Sequence, residues 1–291
     1  MTTDRKTLAR QALVAALQLR QDKGKGLTDP VCPFDLALDL EIDLWFKSLP
    51  SLEGMYSSSP RAAIIIGTER PGARQSYTCA HEIGHHIFGH GTKVDEIKTD
   101  ADPDALFDPE EFLAQSFAGF LLVPKLALDH ACKKRQIKIP DIKSTDLYRL
   151  ANYFGIGYTS LIRHLHYSLQ CLTSKQEQEY SQITLKKIRA QFGVSDPAKP
   201  LTVLDRFWTG AAADLEIGDT VLVPSGCKFE GLCLMQIEAL PGGETLYEAV
   251  ARGQGRVVST ICDWSCFVRV RPKQFTGRAI YRHFPEVSDE K

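Results

Sequence analysis

Apolar residues recur at helical spacing from Thr3 to Gln21, with Leu8, Ala12, Ala15, Ala16 and Leu19 near one face, so an amphipathic helix is expected there. Gly24 and Gly26 stop it. Phe34 to Leu40 reads as a short helix with Pro33 in its first turn. The period then shortens to two, and Ile42 to Phe46 and Ala62 to Ile66 read as strands, the second rich in β-branched residues. Helical spacing resumes from Arg74 and ends at Gly89 and Gly91. After a polar, acidic loop from Asp95 to Asp108, a second strong helix is expected. Asp108 suits its N-cap, Pro109 its first position and Glu111 the third, and Pro124 closes it. A helical run follows from Ser144 to about Thr173, then an exposed helix from Lys175 to Phe192. Residues 193–200 (GVSDPAKP) have the composition of a linker. Beyond them the pattern alternates, predicting strands at Thr220–Val223, Leu232–Ala239, Thr245–Ala251, Val257–Cys262 and Cys266–Val270, with a hairpin turn at Pro241-Gly242-Gly243. The expectation is an α+β chain. Residues 1–175 form a helix-rich domain with a small sheet, 176–199 a connector, and 200–291 a β-rich domain.

Length permits this division, since 291 residues can bury two modest cores. A net charge of −1 argues against a nucleic-acid footprint spread over the whole protein. No run of about 18 apolar residues is evident, so no membrane partner is expected. The first twenty residues are broken by Asp4, Arg5, Lys6 and Arg10, unlike a signal peptide, and the expected location is cytoplasmic. In that setting the eight cysteines are expected as reduced thiols.

The chemistry concentrates in His81-Glu82-Ile83-Gly84-His85. On a helix, residues four apart lie above one another, so His81 and His85 can offer nitrogens to one divalent cation. Glu82 is rotated roughly 100° from His81 and about 60° from His85, bordering the metal face without sharing it. A carboxylate there can hydrogen-bond a water activated by the cation rather than bind the cation itself. Gly89 falls on the histidine arc and leaves room above the metal, while Ile83, Ile87 and Phe88 face a core. A hydrolytic metal site usually has three protein ligands. Glu111 is a candidate third, on a helix whose Ala114 and Ala118 permit close approach. Spacing alone does not separate that role from the third position of a capping arrangement with Asp108, and Glu110 and Asp108 compete for it.

The stretch from Arg74 to Phe88 (RQSYTCAHEIGHHIF) closely resembles the core motif of the ImmA/IrrE family of metallo-endopeptidases. The segment from Glu111 to Pro124 (EFLAQSFAGFLLVP) resembles that family's ExxAxxFAxxLLxP segment. The resemblance covers roughly residues 10 to 170 and does not reach the β-rich half. It implies a zincin-like peptidase domain, Zn2+ as cofactor, Glu111 as third ligand and Glu82 as catalytic base. It also implies a specific protein substrate, a helix-turn-helix repressor whose cleavage switches on stress, mobile-element or defence genes. Such enzymes are commonly restrained until a signal arrives, frequently one linked to DNA damage. Cys79 and Val123 depart from the family pattern without touching a ligand.

Several residues remain to be placed. Tyr77, His90, Tyr148 and Tyr153 are candidate donors to the oxyanion, while His86 and His90 are otherwise expected in structural or surface roles. A cysteine, with Cys79 nearest in sequence, is a candidate fourth ligand that blocks the resting site. Arg252, Arg256, Arg269, Arg271, Lys273, Arg278 and Arg282 face only Asp263 in their stretch, interleaved with Trp264, Phe267, Phe275 and Tyr281. That pattern suits single-stranded DNA acting as an activator, against the simpler reading of a solvated β-face. Residues 147–165 look like a helix-turn-helix, which gives the alternative function, a DNA-binding regulator with a degenerate peptidase domain.

Overall fold

The computed structural model describes residues 4–96 and 107–284. Helix α1 (Arg5–Asp22) is capped by Asp4 and buries Leu8, Ala12, Ala16 and Leu19. These residues pack against α4 (Pro109–Leu122). Arg20 sits wholly inside this contact and donates to the carbonyls of Leu121, Gly26 and Asp29. Its guanidinium thereby serves the C-terminal end of α4, where cations are favoured.

Helix α2 (Pro33–Asp39) leads into β1 (Asp43–Lys47), followed by β2 (Leu52–Ser57) and β3 (Ala63–Gly67). Strand β1 runs parallel to β3, and β2 pairs antiparallel with both β3 and β4 (Lys93–Glu96). Leu44, Phe46, Ile64 and Ile66 bury one face of this sheet. Helix α3 (Gly72–Phe88) packs against β2, β3 and α4. Helices α5 (Lys125–Lys134), α6 (Ser144–Phe154) and α7 (Tyr158–Arg163) follow, the last continuing into a π turn at 164–168. The α4–α5 stretch is long and apolar enough to cross a bilayer on those grounds alone, but 67% of its apolar window is inside the protein.

Short helices α8 (Ser174–Ser181) and α9 (Leu185–Ala190), capped by Thr173 and Thr184, stand where one connecting helix is expected. The remainder is strand-rich. One sheet has the order β5-β7-β10-β9, formed by Leu201–Val203, Thr220–Val223, Thr245–Ala249 and Leu234–Ala239. The other runs β6-β12-β11-β8, formed by Ala213–Glu216, Ser265–Arg271, Gly253–Ser259 and Cys227–Glu230. The chain then returns. Strand β13 (Gly277–Arg278) pairs with β1 and completes the first sheet as β13-β1-β3-β2-β4. The architecture is the expected α+β arrangement, a helix-rich part with a small sheet followed by a strand-rich part.

Several elements were not evident in the pattern. Strand β2 has Gly54 at its centre and little alternation, and β5, β6, β8 and β13 are at most four residues long. The acidic loop expected at 95–108 falls mostly outside the described residues, although its first two residues extend β4. The helical run from Ser144 breaks at Gly155, at φ 63°, where the helix-turn-helix-like reading of 147–165 places its turn.

Candidate metal centre

Helix α3 presents His81 and His85 one turn apart, with their Nε2 atoms separated by 3.0 Å. Glu111 approaches from α4, its two carboxylate oxygens each 3.4 Å from one of those nitrogens. Tetrahedral zinc with bonds of 2.0–2.1 Å holds its ligand atoms about 3.3 Å apart, by simple trigonometry. These distances lie close to that spacing, and one ligand atom from each of the three residues lies within 4.8 Å of the others, so the donor set suits a small divalent cation. His81, Glu82 and His85 are all buried.

The competing roles on α4 separate cleanly. Asp108 Oδ1 accepts from the backbone N–H groups of Glu110 and Glu111, so Asp108 itself supplies the cap. Glu110 pairs with Lys93 at 2.6 Å. The Glu111 carboxylate is thus the one that turns toward the histidines. The expected small-residue contact between the helices exists, and Gly84 completes it. A Cβ at Gly84 would meet Ala114 Cα at 3.0 Å.

Glu82 lies on the side of α3 facing β2. Gly54 of that strand leaves room for it, since a Cβ there would come within 2.6 Å of Glu82 Oε1 and 2.5 Å of Thr78 Cγ2. The helix ends at Gly89 as expected. Gly89 is not a helical position above the metal but the C-cap, at φ 66°. The turn folds His90 back until its Nδ1 lies 2.9 Å from His85 Nδ1. His86 meets Tyr56 Oη at 2.9 Å, tying the helix to β2. Neither histidine is a simple surface residue.

Residues 40–166 match the peptidase M78 family, described as the IrrE N-terminal-like domain. This stretch is similar to the ImmA/IrrE metallopeptidases. The matched ImmA/IrrE segment contains His81, Glu82, His85 and Glu111 and ends before the strand-rich part. No curated protein matches the chain. Among solved structures, a Mycobacterium tuberculosis transcriptional regulator aligns with a TM-score of 0.37 at 14% identity. The alignment covers 58% of this chain and 49% of that one, so the chain spans about half the length of that structure. A likeness this distant carries no argument about function.

The rest of the protein places the remaining candidates. Tyr77 Oη donates to the Gln115 carbonyl and ties α3 to α4, and burial pushes its phenol up to about 12. Tyr148 and Tyr153 lie elsewhere, donating to the carbonyls of Leu201 and Thr209 in the strand-rich part. Of the four proposed oxyanion donors, His90 is the one that touches a residue of the His-His-Glu group. No cysteine belongs to that group, and burial raises the Cys79 thiol well above its ordinary value, which disfavours a thiolate.

The basic stretch is largely committed within the protein. Arg269 pairs with Asp214 and Asp35, Arg271 with Glu216 and Gln75, Arg278 with Asp43, Arg282 with Asp35 and Arg256 with Glu230. Arg252 donates to the carbonyls of Tyr281 and Phe284, and Phe275 packs edge-on to Phe46. Arg269, Arg271 and Arg282 hold the two parts together, whereas Arg256 and Arg278 stay about half exposed. The helix-turn-helix-like element is similarly engaged. Tyr148, Asn152 and Tyr153 of α6 bind backbone groups of the strand-rich part, and His164 Nε2 donates to the Val123 carbonyl at 3.0 Å.

Proposed function

We propose that the chain is a zinc-dependent endopeptidase that cuts a helix-turn-helix repressor and thereby releases stress, mobile-element or defence genes. The observation that carries this reading is the triangle of His81, His85 and Glu111 beside the buried Glu82. In this reading the three side chains hold the cation, which when bound supplies a Lewis acid for water and for the scissile carbonyl. Glu82 stands beside the donors rather than among them. There it takes the proton of the attacking water and delivers it to the leaving amine. Gly54 keeps β2 close enough to hold that carboxylate in place.

Strand β4 forms one edge of the peptidase sheet among the described residues. An extended substrate segment can add to such an edge through backbone hydrogen bonds. The repressor as substrate follows from the family resemblance. In the same reading residues 1–175 are the peptidase unit, 176–199 a connector and 200–291 a β-rich regulatory unit. A single-stranded DNA activator is left out, because Arg269, Arg271 and Arg282 of its basic stretch are engaged within the protein.

Metal analysis and incubation with a helix-turn-helix repressor test the proposal. Glu82→Gln is expected to retain the parent's zinc content while cleavage falls by about 100-fold or more. Full cleavage by zinc-loaded Glu82→Gln would overturn the assignment of the base. Absence of cleavage by the zinc-loaded parent would overturn the substrate.

A further inference from the structure

We infer that His90 is the positioning residue for His85, accepting a hydrogen bond from its Nδ1–H and so aiming Nε2 at the cation. The inference rests on the metal-centre reading above. An imidazole that gives Nε2 to a cation is neutral and carries its remaining proton on Nδ1. His85 is completely buried, so that proton needs an acceptor within the protein. His90 Nδ1 lies 2.9 Å from it. Accepting there places the proton of His90 on its own Nε2.

The local sequence builds this contact. Helix α3 stops because Gly89 takes the left-handed conformation, and the His90 N–H then bonds back to the His85 carbonyl at 3.1 Å. The ring of His90 therefore returns to the residue it serves. Phe88 stacks on that ring, with centroids 5.7 Å apart and planes 22° from parallel, which fixes its orientation. Phe88-Gly89-His90 thus acts as one device: a platform, a turn and an acceptor.

The identity of the acceptor has a chemical consequence. A carboxylate in this position makes a histidine ligand more basic and passes negative charge toward the metal. A neutral imidazole passes less. His90 therefore orients His85 while leaving the cation more electrophilic than an Asp or Glu partner would.

Zinc affinity, measured on the full chain by competition with a chelator, tests this independently of catalysis. His90→Ala is expected to weaken zinc binding by about 10- to 100-fold, with the melting temperature of the metal-free protein little changed. His90→Gln, whose Oε1 can accept the same proton, is expected to recover most of the loss. In the zinc-loaded parent, nitrogen–nitrogen coupling across the hydrogen bond should link the two Nδ1 atoms in histidine-labelled NMR spectra. Zinc affinity in His90→Ala within about twofold of the parent would overturn the inference. So would equal losses in the Ala and Gln variants accompanied by a lower metal-free melting temperature, which marks a structural role. A parent that takes up no zinc would instead overturn the metal centre itself.

Discussion

Gly84 is the residue at which fold and site meet. It is the fourth residue of the His81–His85 pentapeptide, yet its work is done against another helix. Replacing a helical glycine by alanine ordinarily gains roughly 1 kcal/mol in helix propensity. Here the new methyl group would meet Ala114 Cα at 3.0 Å and its carbonyl oxygen at 3.2 Å, both backbone atoms in a buried contact. Overpacking of that kind costs about 1–3 kcal/mol. Gly84→Ala is therefore expected to lower stability by about 1 kcal/mol net and to weaken zinc binding, because α4 carries Glu111. Calorimetric melting with a metal titration checks both parts. A variant that is stabilised and binds metal normally would mean that α4 shifts without consequence for Glu111.

At the scale of elements, the junction of α7 with the end of α4 sets a pH limit on stability. His164 is buried beside Gly119 and Val123, and burial lowers its pKa to about 4 despite the hydrogen bond to the Val123 carbonyl. The unfolded chain binds this proton near 6.5, so between those values the unfolded state holds more protons than the folded one. The contribution is complete above about pH 6.5 and is lost as pH falls toward 4, amounting to about 3 kcal/mol. Urea melts at pH 7 and pH 4.5 should show that loss, and His164→Gln should flatten the dependence. Elements with strong local signals were legible in the sequence: α1 through its apolar stripe, α4 through Asp108 and Pro109, and the β9–β10 hairpin through Pro241-Gly242-Gly243. The histidine pair was equally legible, because one helical turn fixes the distance between its members. Strand β2 was not, since its central residue is shaped by the helix packed on it rather than by alternation. His90 was singled out, but its contact with His85 was not foreseen, for a related reason. Its role depends on Gly89 leaving the helix, whereas continued helical spacing would send it elsewhere.

Over the whole molecule, Asp35 is the point where α2 is fastened to Arg269 and Arg282, which lie 234 and 247 residues further along the chain. Burial alone would raise its carboxyl pKa, but Arg282 and Arg269 hold it at about 2. Asp35→Ala would strip a carboxylate from two largely buried guanidinium groups. Breaking a buried pair costs about 3–5 kcal/mol, and the partial exposure of Asp35 reduces the expected loss to about 2 kcal/mol. A fall in melting temperature together with faster protease cleavage near residues 193–200 is the expected outcome; unchanged proteolysis there would separate this clasp from the docking of the two parts. The returning strand β13 has a consequence in time as well as in space. A ribosome releases the segment with both metal-binding motifs early, by Pro124, whereas the strand that borders β1 is made at Gly277 and Arg278. At ~5–20 residues per second the roughly 150 intervening residues take on the order of ten seconds. Nascent chains arrested near residue 200 should therefore bind zinc more weakly than the full chain, as metal-uptake assays on stalled complexes can check. Synthesis itself then sets the earliest moment at which the first sheet is complete.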